Sequence, residues 1–328
     1  MRLSSVSILF LLLLVATLPA RAFEAGCSVS ADADWSGFPE VGISGLSTHF
    51  RTWLDGNGYS EYDFARDDLE GGSYGGRESD TDTPKQQSVV FVHGNSDRAV
   101  GTIDGAPVGW TAVIRRFLSA GYTPGELYAT TWGSASSELA GEQVHSFEYV
   151  QRIRSFLEVV LDYTGAEKVD VIGHSMGVTL ARKAIQGGML DGRDLGAPLT
   201  GRIDTFVGIA GANLGLVSCF LAESKYPTCS DEGGFYPGRL SLGGVKGESD
   251  YLVGLNNESR YEGDHLFSIW SRADQLVGFG GLVYGDYTSR IPGQDGEAVY
   301  NGYPYGHFCV RDLSVPVQLE MIRNHRVP

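Results

Sequence analysis

The chain has 328 residues, with 25 lysines and arginines against 40 aspartates and glutamates, a formal charge of −15. A chain this acidic is a poor partner for nucleic acid or for an anionic membrane surface, since both repel it. Its length suits one large α/β domain, and after the first residues no stretch approaches the ~20 apolar residues of a membrane helix.

The N-terminus reads as an export signal. Arg2 supplies the charge, Val6 to Val15 is a short apolar core, and Ala20-Arg21-Ala22 is a small-x-small cleavage site. The mature chain is expected to run over residues 23–328. Removing residues 1–22 takes two arginines away and leaves 23 basic against 40 acidic residues, a formal charge of −17. A soluble, secreted, extracellular protein is expected. The four cysteines fit an oxidising compartment and imply two disulfides in one of three connectivities. The short spacing of Cys219 and Cys229 favours Cys219–Cys229, which leaves Cys27–Cys309. A metal site at these cysteines is disfavoured, because no His or Cys neighbours them at ligand spacing. Asn257-Glu258-Ser259 is the one glycosylation sequon.

Residues 23 to about 87 form a preamble. An amphipathic helix is expected over Ser47–Leu54, stopped by Asp55-Gly56-Asn57-Gly58, and an exposed acidic loop follows from Asp67 to Gly76. His49 has no partner in sequence and reads as structural. Ser88 to Val92 is a buried strand that runs into His93-Gly94-Asn95-Ser96. A strand ending this way places backbone N–H groups where an oxyanion forms, and the N–H of Asn95 is the candidate donor. His93 reads as a brace for that loop. A helix over Trp110–Ala120, a strand over Glu126–Trp132 and a helix over about 146–163 follow.

The central stretch is Val169-Asp170-Val171-Ile172-Gly173-His174-Ser175-Met176-Gly177. A short β-branched run enters G-x-S-x-G and leaves as a helical pattern at Val178, Leu180, Ala181, Ala184 and Ile185. On such a turn the serine is exposed and strained, which suits a nucleophile. The helix start points its positive dipole end and the N–H of Met176 at the same place. The bland alternative is an ordinary serine in a glycine-rich turn. Alternation of strands and helices with short links implies a mainly parallel sheet with helices on both faces. Another strand covers Ile203–Ile209. Residues 211 to about 262 are glycine-rich and unpatterned, an insertion that reads either as a lid or pocket wall or as plain surface. Within it, Phe220, Leu221 and Phe235 are candidates for an acyl pocket or for core. His265–Trp270 resumes the sheet, and Pro316–Asn324 is a closing helix.

A serine hydroxyl needs a histidine base, and the histidine needs a carboxylate that fixes its tautomer. On a sheet of this kind the chain order is serine, acid, histidine. His265 begins a strand and His325 lies near the end of the chain, so His307, in a turn-rich loop beside Cys309, is the expected base. Asp274 follows the Ile269-Trp270 strand end and is the expected acid, with a helix cap or surface ion pair as its bland alternative. Asp264 precedes that strand and falls on the opposite edge, and Asp231 and Asp250 are weaker candidates.

These residues resemble those of the secreted class 2 lipases described from nematodes, which are similar to the small lid-less bacterial lipases. The resemblance runs from about Phe50 to the C-terminus. It is carried by Asn57-Gly58-Tyr59, Val90 to Asp97, Thr130-Thr131-Trp132-Gly133, Val171 to Gly177 and Ser271-Arg272-Ala273-Asp274. It implies an α/β-hydrolase fold and hydrolysis of lipid or other carboxylic esters by Ser175, Asp274 and His307. It implies no metal requirement for the chemistry and an extracellular setting; no cofactor and no protein partner are implied, and the substrate is expected to be a lipid ester, with a lipid–water interface as one setting. The bacterial relatives lack the insertion between Gly211 and Tyr261. The alternatives are a short-chain carboxylesterase or thioesterase, and a non-catalytic lipid-binding protein.

Overall fold

The structure, a computed structural model, describes residues 45–328 except 104–105 and 223–224. The expected signal peptide and Cys27 lie outside the described residues.

Four apolar runs make the strands at the centre of the sheet: β3 (Val89–Val92), β5 (Val169–His174), β6 (Ile203–Ile209) and β7 (His265–Ser271). Every residue of β3 and β5 is buried, which is why these runs show no polar alternation. Shorter strands complete an eight-stranded sheet: β1 (Gly45–Leu46), β2 (Ser73–Gly75), β4 (Leu127–Thr130) and β8 (Gly296–Tyr300). The order is β1-β2-β4-β3-β5-β6-β7-β8. From β4 to β8 all neighbours are parallel, and β2 joins β4 antiparallel at one edge.

Two apolar layers sandwich the sheet, and alternate residues of one strand feed both. Val90 and Val92 of β3 pack with helices α1 (Thr48–Gly56), α3 (Phe147–Thr164) and α4 (Met176–Gln186). Val89 and Phe91 pack with α2 (Thr111–Ser119) and a C-terminal helix over Val315–Asn324. Local signals set the helix ends. Ser47 Oγ accepts the N–H of Phe50 at 3.1 Å, so α1 begins where the sequence expects it. Gly165 ends α3 in the left-handed region at φ 66°.

The insertion is not shapeless. It contains α5 (Val217–Ala222), a hairpin of Pro237–Ser241 and Gly244–Glu248, and α6 (Asp250–Asn256). Cys219 and Cys229 are disulfide-bonded within it. Cys309 is also disulfide-bonded, and its expected partner, Cys27, is outside the described residues. Phe235 is buried against His145, with ring centroids 4.7 Å apart, so it is core, whereas Phe220 is exposed. The insertion is fastened to α4 by a fully buried ion pair, Arg182 Nε to Glu262 Oε1 at 2.8 Å. Arg182 also donates to the side-chain oxygens of Asn213 and Asn256, at 2.9 Å each. A buried guanidinium with this many partners ties α6 to α4. Asn257 lies at the exposed end of α6. Among the described residues, no helix is long and apolar enough to cross a membrane.

Candidate active site

Parallel strands deliver their following loops to one edge of the sheet, at their C-terminal ends. Four connections that leave this edge carry the expected residues: Asn95 after β3, Ser175 after β5, Asp274 after β7, and His307 beyond the loop that follows β8.

Ser175 sits between β5 and α4 with φ 54° and ψ −127°, a backbone conformation that a side-chain-bearing residue adopts only when its surroundings enforce it. Close packing is that enforcement. An added Cβ on Gly177 would lie 2.3 Å from the carbonyl oxygen of His93 and 2.4 Å from that of Val92, so glycine alone lets α4 start against β3. The Ser175 N–H donates to the carbonyl of Ile209 at 2.8 Å, which ties the turn to β6.

Gly94 lies over the serine. An added Cβ there would stand 2.9 Å from Ser175 Cβ. The loop is braced by His93, which is stacked on Trp132 with ring centroids 5.0 Å apart. The Trp132 backbone N–H donates to His93 Nε2 at 3.1 Å, so the ring proton is on Nδ1 and points at the Gly94 carbonyl, 2.7 Å away. Burial lowers the His93 pKa to about 4, and this imidazole is neutral. The Asn95 side chain donates to the carbonyl of Ala140 at 2.9 Å, which orients its backbone. Among the described residues, no hydrogen bond engages the backbone N–H of Asn95 or Met176.

Asp274 is buried, and both of its oxygens are engaged. Oδ1 accepts the N–H groups of Leu276 and Val277 at 2.9 Å each, and Oδ2 lies 2.7 Å from His307 Nδ1. The local turn and the contact with histidine coexist in one carboxylate: the first fixes its orientation, the second uses it. His307 is not in a loop. It is the first residue of helix α7 (His307–Leu313), and its N–H donates to Gln275 Oε1 at 3.0 Å. His174, the variable residue of G-x-S-x-G, packs against it with ring centroids 4.7 Å apart, and its Nε2–H donates to the His307 carbonyl at 3.1 Å. Thus the residue before Ser175 touches the expected base directly. Burial, and then His307 and Arg311 nearby, hold the His174 pKa well below the usual imidazole range. Among the described residues, no hydrogen bond joins Ser175 Oγ to His307.

One further tie escapes sequence reading. Arg311, one turn beyond His307 on α7, is buried, donates to Asp97 Oδ2 at 2.8 Å and pairs with Asp312 at 2.6 Å. Asp97 Oδ1 accepts the N–H of Gly109 at 3.1 Å. The guanidinium therefore joins the loop after β3 to the helix that carries His307; burial alone would lower its pKa, but the two carboxylates outweigh that and raise it. A cavity of about 700 Å³ lies elsewhere, lined by residues including His145, Lys183 and Tyr251, and holds none of the expected site residues.

The model of the Lipase (class 2) family matches residues 86–319, well over half of the chain and all of this site. The chain belongs to the class 2 lipases. Its structure is similar to that of Aspergillus fumigatus lipase B, at 12% identity and a TM-score of 0.50, over 81% of this chain and 59% of that one. The chain thus spans about three-fifths of that lipase's length. It is also similar to Bacillus licheniformis lipase BlEst2 in mature form, at 14% identity and a TM-score of 0.48, over 76% of this chain and 97% of that one. No match is found among curated proteins. The fold is that of the α/β-hydrolases.

Proposed function

We propose that this class 2 lipase is a secreted serine hydrolase that cleaves carboxylic esters of lipids through Ser175, His307 and Asp274. The observation that carries this reading is the 2.7 Å contact between Asp274 Oδ2 and His307 Nδ1, made by a carboxylate whose other oxygen is already fixed by two backbone N–H groups. A carboxylate so held sets the histidine tautomer, leaving Nε2 as the proton acceptor. His307 takes the Ser175 proton as Oγ bonds to the ester carbonyl carbon. The negative charge gathers on the carbonyl oxygen, where the N–H groups of Asn95 and Met176 receive it. Collapse breaks the C–O bond, and His307 returns its proton to the departing alcohol. Water then attacks the acyl-enzyme with His307 again as base, releasing the acid and restoring the serine. Because His93 and His174 are neutral, neither opposes the cation formed on His307.

The export-like N-terminus and the Cys219–Cys229 disulfide support secretion, and Asn257 is proposed to carry a glycan. Two exposed aromatic side chains, close in sequence to Asp274 and His307, support work at a lipid–water interface. Phe279, after Asp274, is 57% exposed, and Tyr303, before His307, is 85% exposed. The test is turnover of a series of esters from short to long acyl chain, below and above the solubility limit, with Ser175→Ala as control. Activity that rises with chain length and jumps on emulsification, and that Ser175→Ala abolishes, is the expected result. Activity confined to soluble short esters moves the assignment to esterase. Ester turnover equal in wild type and variant sinks the Ser175 mechanism.

A further inference from the structure

At the other end of the sheet, three residues far apart in sequence converge. Asp204 is the second residue of β6, His265 is the first of β7, and His325 ends the helix α8 (Val315–Asn324) in the left-handed region. One ligand atom from each lies within 4.8 Å of the others. His325 Nε2 is 3.0 Å from Asp204 Oδ2, and the two imidazoles are stacked with ring centroids 3.7 Å apart and planes 11° apart. The sheet places this cluster at the N-terminal ends of the strands, whereas Ser175 follows a C-terminal end. A strand of seven residues at about 3.3 Å each separates the two ends by roughly 20 Å.

Two imidazoles and a carboxylate form a borderline donor set. It suits zinc and its neighbours rather than calcium or magnesium, which take oxygen ligands. Ligand atoms around a tetrahedral zinc stand about 3.3 Å apart, from bond lengths of about 2.0–2.1 Å. The present spacing therefore closes by no more than about 1.5 Å, and the His325 side chain, 37% exposed, has room to rotate. Lys168, the ammonium that would compete for the carboxylate, is bonded to Asp264. On binding, the proton of His325 Nε2 moves through solvent to Nδ1 and the metal takes the freed lone pair, so no net charge leaves the ring.

We propose that Asp204, His265 and His325 bind one zinc-type divalent ion that fastens the C-terminal segment to the sheet. The ion stabilises the fold and takes no part in ester chemistry. Untagged protein stripped by chelator is titrated with zinc by calorimetry and by thermal melting, beside His325→Ala and Asp204→Asn. The expected result is one site in the wild type and a rise in Tm on the order of 5 °C at a hundredfold excess over Kd. Both variants lose that site and that rise, yet turn over ester at the wild-type rate in chelator. No zinc-dependent rise in the wild type, or the same rise in wild type and both variants, overturns the proposal. Turnover in chelator is read separately, so the failure of this site and the failure of the Ser175 mechanism are distinguishable.

Discussion

Replacing Asp274 by asparagine perturbs one atom of the candidate site and leaves the rest in place. The Oδ1 position accepts two backbone N–H groups, from Leu276 and Val277. An asparagine must put its oxygen there, which forces its NH₂ into the position of Oδ2, facing His307 Nδ1 at 2.7 Å. A donor now faces that nitrogen, so Nδ1 must become the acceptor and the ring proton moves to Nε2. The histidine then presents a proton to Ser175 in place of a lone pair. In serine proteases that tautomer change costs about 10⁴ in kcat, equivalent to about 5.4 kcal/mol of barrier. Asp274→Asn is therefore expected to lower kcat on a soluble chromogenic ester by on the order of 10⁴, with KM changed far less. Its Tm should stay within a few degrees of the wild type, because every hydrogen bond to Oδ1 survives. A folded variant with kcat within tenfold of the wild type would refute the role given to Asp274.

Three further substitutions probe the frame. Gly94→Ala adds a Cβ 2.9 Å from Ser175 Cβ and must push away the loop that carries the Asn95 N–H; kcat should fall by about 10²–10³, the loss of one oxyanion donor, and an unchanged kcat tells against Asn95. Arg311→Met leaves Asp97 and Asp312 without their shared cation, and chemical denaturation should show a loss of about 3–5 kcal/mol, partly restored by adding Asp97→Asn. Asp170, buried in β5, has its pKa raised by burial to about 8 from an ordinary 3.8. The folded state therefore keeps a proton that the unfolded chain releases, and the resulting stabilisation is complete below about pH 4 and lost as the pH rises to about 8, by at most about 1.4 kcal/mol per pH unit. Asp170→Asn keeps the acceptor used by Gln87 and Thr205 and should flatten that slope in melts from pH 5 to 9. A slope equal to that of the wild type would contradict the burial argument.

What could be read in the sequence was whatever is local and strongly constrained. Ser175 stood out because a buried β-branched run, two glycines and a helical pattern must coincide for that turn to form. The edge strand β8 did not, since each of its residues is half-buried and none makes an apolar run. Strands β1 and β2, of two and three residues, are too short for any period to show. The insertion looked patternless because α5, α6 and each strand of the hairpin are seven residues or fewer, and a buried arginine holds much of it in place of an apolar stripe. His307 was expected in a loop because Gly302 to Gly306 reads as turn, and that turn ends one residue before α7 begins. The contacts that orient the candidate site were hidden for a different reason. Arg311 meets Asp97 across 214 positions, and His174 meets His307 across 133. Nothing local to either partner signals such a meeting, and only the parallel order of the strands brings them to one edge.

Everything proposed for ester cleavage rests on Ser175 Oγ as the nucleophile. The most direct measurement is reaction of the purified protein with an alkyl phosphonate ester that carries a chromogenic leaving group, followed by intact mass and peptide mapping. The expected result is one phosphonyl group per chain, attached to Ser175, loss of ester turnover in step with the leaving group released, and no adduct on Ser175→Ala. An adduct mapped to another residue, or ester turnover that persists in Ser175→Ala, would contradict it.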